Sequence, residues 1–197
     1  MRYLLGSTLI CATLTIMALM KADGAKAYDS GVSDDDIKII LREHNKIRRQ
    51  IECGNFPGLP KGKNFKQLKY DKNLAAEAQK IANTHRFKHV RVHDHRWPPP
   101  RGVGQNIYMY GSTSNVGGPN WKRAIDTWRN ESRKYCYSPC GGSSATGHFT
   151  QIIWADTEFI GCGYASYKDG GMNRMLMVCN YGPGGNVIGQ VPYRRFV

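Results

Sequence analysis

The texture of the chain changes along its length, and that change limits the folds open to it. Ser33 followed by Asp34-Asp35-Asp36 has the form of a helix start, a capping hydroxyl with three carboxylates at the positive helix end. Ile37, Ile40, Leu41, His44, Ile47 and Ile51 then recur at helical spacing. Lys38, Arg42, Lys46 and Arg49 take the other sides, and Gly54 stops the run. Residues 54 to 69 carry Gly, Pro and Lys without a period and read as an extended surface connection. A second helix is predicted from Asp71 to about His85 on Leu74, Ala75, Ala78, Ile81 and Ala82. A third is predicted from about Trp121 to Tyr135, with Ala124, Ile125 and Trp128 inward. Trp97-Pro98-Pro99-Pro100 between them is loop, because proline cannot continue a helix. Beyond this the residues become β-branched, aromatic or alternating. Three strands are predicted, His148 to Trp154, Phe159 to Tyr167 and Arg174 to Tyr181, with turns at Ala155-Asp156-Thr157 and Lys168-Asp169-Gly170-Gly171. Helices first and strands later indicate an α+β fold, with no internal repeat and no interdomain linker.

The first residues set the compartment. Met1 and Arg2 precede an apolar stretch from Leu4 to Met20, and Ala25-Lys26-Ala27 fits a small-x-small cleavage site. Residues 1–27 therefore read as a secretory signal peptide and 28–197 as one secreted domain, with no transmembrane segment. Cleavage removes three of the 28 basic residues and one of the 15 acidic ones, so the formal charge falls from +13 to +11. It also removes Cys11, one of six cysteines, and leaves Cys53, Cys136, Cys140, Cys162 and Cys179. In an oxidising compartment most of these should pair, and an odd count leaves one thiol free or joined to another chain. The expected state is a monomer or a disulfide-linked dimer. Secretion also argues against nucleic acid as the partner of the basic charge. A solvated positive surface or attraction to sulfated glycans, anionic lipid or acidic proteins remains open.

Several runs together resemble one family. Gly147-His148-Phe149-Thr150-Gln151-Ile152-Ile153-Trp154-Ala155 is similar to the signature strand of the CAP superfamily, which includes cysteine-rich secretory, antigen 5 and plant pathogenesis-related-1 proteins. Val178-Cys179-Asn180-Tyr181-Gly182-Pro183-Gly184-Gly185-Asn186 resembles its second signature. His44-Asn45-x-x-Arg48 and Gly104-Gln105-Asn106-Ile107 also match. The nearer resemblance is to arthropod antigen 5 proteins of venom and saliva, which often carry Gln where the family pattern has Gly-Glu-Asn. The chain departs from wasp-type relatives in lacking a cysteine-bearing N-terminal extension, in having no cysteine from Leu74 to Gln105, and in the Cys136-x-x-x-Cys140 pair.

The resemblance implies a three-layer α-β-α sandwich and a Cys162–Cys179 disulfide. It also implies a central cleft, carried here onto His93, Gln105, Glu131 and His148, with His93 and His148 as ligands for a divalent metal such as Zn or Cu. Two neutral imidazoles make half a tetrahedral site, so water or anions would complete it. Gln105 can hydrogen-bond but cannot serve as a general base, which weakens any mechanism needing two carboxylates. His85, His89 and His93 are spaced by four and would form a stripe on a continuous helix, although Arg86, Lys88 and Arg91 favour a solvated basic face. Thr150 and Ser132 lie near the cleft in sequence, but neither sits in a nucleophile elbow. Asn130-Glu131-Ser132 is an N-glycosylation sequon beside Glu131.

Three functions follow. The resemblance to antigen 5 implies a secreted effector that binds host or prey protein, glycan or lipid. A carrier of sterol, fatty acid or eicosanoid is the second, with Ile107, Tyr108, Met109 and Tyr110 as candidate lining or as core. A metal-dependent enzyme or redox agent is the third and the least favoured, since no nucleophile stands out.

Overall fold

The computed structural model describes residues 31–137 and 143–196, so the expected leader, its cleavage point and Cys140 lie outside the described residues. Four helices and a four-stranded sheet carry the fold. Helix α1 spans Asp34–Glu52, α2 Lys72–Ala82, α3 Trp121–Asn130 and α4 Gly147–Ile152. The strands are β1 Gly62–Lys63, β2 Lys69–Tyr70, β3 Gly104–Ser112, β4 Phe159–Asp169, β5 Met172–Gly182 and β6 Arg194–Arg195. The main sheet has the order β2-β4-β5-β3, parallel only between β2 and β4, while β1 and β6 form a separate antiparallel ribbon.

The first helix begins as its sequence requires. Ser33 accepts from the Asp36 amide, and the Asp36 carboxylate accepts from the Ser33 amide, each at 3.2 Å. Its buried face is Ile40, His44, Ile47, Arg48 and Ile51. The second helix is capped by Asp71, whose carboxylate accepts from the Leu74 amide. It ends at Ala82, three residues before the expected His85.

The sheet separates two cores. On one side α2 supplies Ala78, Ile81 and Ala82 against Ile107, Ala165, Leu176 and Val178. On the other, α1, α3 and α4 pack on Tyr164, Met175, Met177, Cys179 and Tyr181. The layering is helix, sheet, helix, as the resemblance implies. Gly161 and Gly163 let α2 lie against β4, because a Cβ at either would run into the backbone of Ala75 or Gln79. Cys162 and Cys179 stand directly opposite in the β4–β5 register and are disulfide-bonded.

Two expectations change. The predicted strand from His148 to Trp154 is helix α4, and β3 has no counterpart among the strands expected from sequence. Both segments are apolar on more than one side. Phe149 through Trp154 is buried all round, and Ile107 faces one core while Tyr108 packs against the other. Without a polar face, neither period is expressed.

Arg48 fixes the geometry of this half of the molecule. It is 2% exposed, and its terminal nitrogens donate to the carbonyls of Lys66, Ile152, Trp154, Ala155 and Thr157 at 2.7–3.1 Å. Burial pulls its pKa down to about 10, so it stays charged at neutral pH. Asn45, beside it on the helix, exchanges hydrogen bonds with both backbone groups of Leu68. Deeper still, His44 Nδ1 lies 2.8 Å from the Ile40 carbonyl and must donate to it. Its Nε2 therefore accepts from the Tyr181 hydroxyl at 2.9 Å, and that oxygen accepts from Asn106 Nδ2 at 3.1 Å.

Two measurements test these assignments. Arg48→Met should cost about 4 kcal/mol or more in urea unfolding, since several buried carbonyls lose their donor. Arg48→Lys, with three donors, should fall between that variant and wild type. Burial pulls the His44 pKa down from 6.5 to about 4, so its contribution is complete above pH 6.5 and is lost as pH falls toward 4. Unfolding free energy should drop by roughly 2–3 kcal/mol across that window. Asp71, Asp94 and Glu158, all with lowered pKa values, lose their contributions only below their ordinary values of 3.8 and 4.5, so the stretch from pH 6.5 to 4.5 isolates His44 from them. A flat profile between pH 6.5 and 4.5 would contradict the neutral, buried imidazole.

Candidate functional site

Glu131 and His148 are in direct contact, and their relationship is specific. Glu131 opens a 3₁₀ turn, Glu131–Lys134, that continues α3. Its carboxylate accepts from the amides of His148 and Phe149 at 3.0 and 3.1 Å and from His148 Nδ1 at 2.6 Å. The helix α4 has no side-chain cap of its own, so this carboxylate, 17 residues upstream of His148, satisfies its first amides. Both oxygens are engaged, which makes Glu131 a positioning residue. The His148 ring stacks on Trp128, with centroids 6.0 Å apart and planes 17° apart. Asn106 Nδ2 also donates to the His148 carbonyl at 3.1 Å, so the His44–Tyr181–Asn106 chain ends at this residue.

Gln105 lies on β3 and pairs with the loop that follows α2. Its Oε1 accepts from the Val90 amide at 3.1 Å, which fixes the orientation of the side chain. Its Nε2 then donates to the Val90 carbonyl and to Asn180 Oδ1. The same Oε1 is 3.0 Å from His89 Nδ1, so His89 donates there. A carboxylate could not make the two donor contacts.

The histidine partner of His148 is His89, in place of the expected His93. The rings of His89 and His148 have centroids 6.3 Å apart, at 31°. His93 sits on the exposed stretch beyond, beside Val92, Asp94 and Trp97 in a surface depression. Among the described residues it makes no hydrogen bond or ring contact with Gln105, Glu131 or His148. The stripe of His85, His89 and His93 does not form, because the helix ends at Ala82 and His85 adopts a left-handed φ of 56° with its ring stacked on Tyr167. The loop from 83 to 103 has no period, so spacing alone could not rank its histidines.

In both cleft histidines Nδ1 is committed as a donor, to Gln105 in one and to Glu131 in the other. The lone pair of the neutral ring is therefore on Nε2 in each. A tetrahedral ion bound through both Nε2 atoms would hold the ring centroids about 5 Å apart, so the two rings, at 6.3 Å, would have to close by about 1 Å to share one. The carboxylate and amide behind them are the outer partners that orient ligating histidines. Among the described residues no third His, Cys, Asp or Glu joins them in a group that could hold a metal. The donor set fits an open, two-histidine site that needs water or a partner to complete it.

The other candidates fall in definite places. Asn130 is exposed at the end of α3, next to the cleft. Thr150 is buried and hydrogen-bonds Asn186 at 2.7 Å, tying α4 to the segment after β5. Ser132 is half-buried in the 3₁₀ turn. Ile107 and Met109 face the α2 core whereas Tyr108 and Tyr110 pack against the opposite one, so the four cannot line one lipid site. Cys53 and Cys136 are exposed and free among the described residues.

Residues 41–181 match the model of the cysteine-rich secretory protein family, CAP. A protein from Trittame loki described as CRISP/Allergen/PR-1 is 37% identical over 178 residues, covering 86% of this chain and 44% of its own. A salivary antigen-5 from Dipetalogaster maximus is 37% identical over 164 residues, covering 79% of this chain and 64% of its own. The chain thus spans less than two thirds of either relative. The crystal structure of NaASP2 with Zn2+ superposes with a TM-score of 0.69 at 26% identity, covering 84% of this chain and 88% of that one.

Gln105→Glu should loosen the loop from the sheet. At neutral pH the carboxylate would face the Val90 carbonyl and Asn180 Oδ1 with no proton to donate, costing about 1–3 kcal/mol. Hydrogen exchange at the Val90 amide should accelerate in that variant, and unchanged exchange would show that the amide pairing is dispensable.

Proposed function

The chain belongs to the cysteine-rich secretory protein (CAP) family, and we propose that it is a secreted effector that binds host or prey molecules through the His89–His148 cleft with a divalent cation. One observation carries the cation: both imidazoles are turned by Nδ1 hydrogen bonds so that Nε2 is the open nitrogen. Venom and salivary relatives support the setting outside the cell. The class of ion is supported by NaASP2, a related fold whose crystal structure is one with Zn2+.

The residues divide the work. His89 and His148 would hold the ion through Nε2. Glu131 holds the ring of His148 and the start of α4, Trp128 backs that ring, and Gln105 holds His89 through its loop. A bound cation would offer open coordination positions to an oxygen or nitrogen donor of the partner. The loop that carries His89 also carries the exposed Arg86, Lys88 and Arg91, which favour an anionic or acidic partner over a cationic one.

Calorimetric titration with Zn2+ and with Cu2+ tests this reading. Wild type should bind about one equivalent of one of them. Alanine at His89 or His148 should weaken binding at least about tenfold. His93→Ala should behave as wild type. Absence of saturable binding, or a loss confined to His93→Ala, would overturn the assignment.

A further inference from the structure

The β1–β6 ribbon contains none of the cleft residues and carries a different kind of surface. In its register Lys63 stands opposite Arg194 and Gly62 opposite Arg195, and the Phe196 amide donates to the Lys61 carbonyl. Lys61, Lys63 and Phe196 share one face, with the ammonium groups 4.4 and 6.0 Å from the Phe196 ring centre. Placing two cations directly opposite each other is unfavourable in a ribbon. Among the described residues none of Lys61, Lys63, Arg194 and Arg195 has a carboxylate within 4.0 Å, whereas Lys66, Lys69 and Arg96 elsewhere are all paired.

The same region exposes apolar side chains. Five large hydrophobic residues are exposed among the described residues, and three of them fall in one short stretch: Ile188 at 100%, Val191 at 45% and Phe196 at 59%. Val191 joins Lys63 and Arg194 around a depression of about 630 Å³. The depression also holds Arg101, paired at 2.6 Å with Asp156, the one carboxylate among its described lining residues. The backbone beneath is fixed. Tyr193 is buried, its ring packs between Phe65 and Tyr137, and its hydroxyl donates to the Pro60 carbonyl. The Ala155 amide donates to the Pro192 carbonyl at 2.7 Å. These apolar groups are thus presented by a held edge.

We propose that this face, Lys61, Lys63, Val191, Arg194 and Phe196, with the fully exposed Ile188 on the chain that leads into it, docks on an anionic lipid bilayer. Cations that lack carboxylate partners match lipid phosphates and carboxylates, and the apolar tips match the acyl boundary below them. A sulfated polysaccharide would use the cations but gives no role to a fully exposed Ile188. A second copy packed about a two-fold axis would set the cations against themselves. Docking through this face does not depend on a metal in the cleft.

Co-sedimentation of the intact protein with phosphatidylcholine vesicles, with and without phosphatidylserine, tests it. Binding should need phosphatidylserine and should weaken as salt rises. Ile188→Ser with Phe196→Ser, and separately Lys63→Gln with Arg194→Gln, should each reduce partitioning on the order of tenfold without altering the melting temperature. No binding to either vesicle would overturn the proposal, as would binding indifferent to the Ile188 and Phe196 substitutions. Retention on heparin without vesicle binding would also overturn it and assign the face to a polysaccharide.

Discussion

Arg48 brings a full charge into the core, and backbone oxygen atoms meet it where a carboxylate would be expected. Five carbonyls from residues 66 and 152–157 converge on its two terminal nitrogens. Ile152 is the last residue of α4, and the other four carbonyls lie in the turn between α4 and β4 and in the connection before β2, beyond the regular ladders. Removing the cation would take a charged donor from every one of these interior carbonyls and leave the turn to its remaining backbone and Thr157 bonds. The direction in which α4 enters, and hence the position of His148 at its start, depends on that turn.

The second constraint reaches the cleft from within. His44, Tyr181 and Asn106 form a chain with only one consistent proton arrangement, running from the first helix through the central strand to the edge strand and ending on the carbonyl of His148. Burial raises the hydroxyl pKa of Tyr181 as it lowers that of His44, so both stay neutral and the arrangement does not scramble near neutral pH. His148 is consequently held at several points. The groups that a chemist would first suspect, Glu131 and Gln105, spend their hydrogen-bonding capacity on positioning.

The first three helices are legible from residues because each has a polar side that exposes its period. Ser33 and Asp71 mark two starts, and Gly and Pro mark stops. The fourth helix and the edge strand escape that reading for one reason: apolar residues fall on more than one side of each, so no polar face imprints a rhythm. The cap of α4 is also supplied from a distant turn. Glu131 and His148 are identifiable through family resemblance, and the structure joins them. His93 stands in the sequence where His89 stands in the cleft, since choosing between them depends on a pairing between Gln105 and Val90 that no local pattern encodes. Arg48 belongs to a motif in the sequence, and only the fold shows that its side chain points inward.

The two long stretches that carry the family resemblance touch each other. Thr150 bonds Asn186, Asn186 returns to the Gly147 carbonyl, and Gln151 accepts from the Gly185 amide while its other end meets Thr157. A Cβ on Gly104 would collide with the same Gln151 side chain. Segments far apart in the chain thus form one hydrogen-bonded unit. A loop exchanged between relatives on one side alone would arrive without its counterpart, so chimaeras of this fold should be cut to carry both stretches and the start of β3 together.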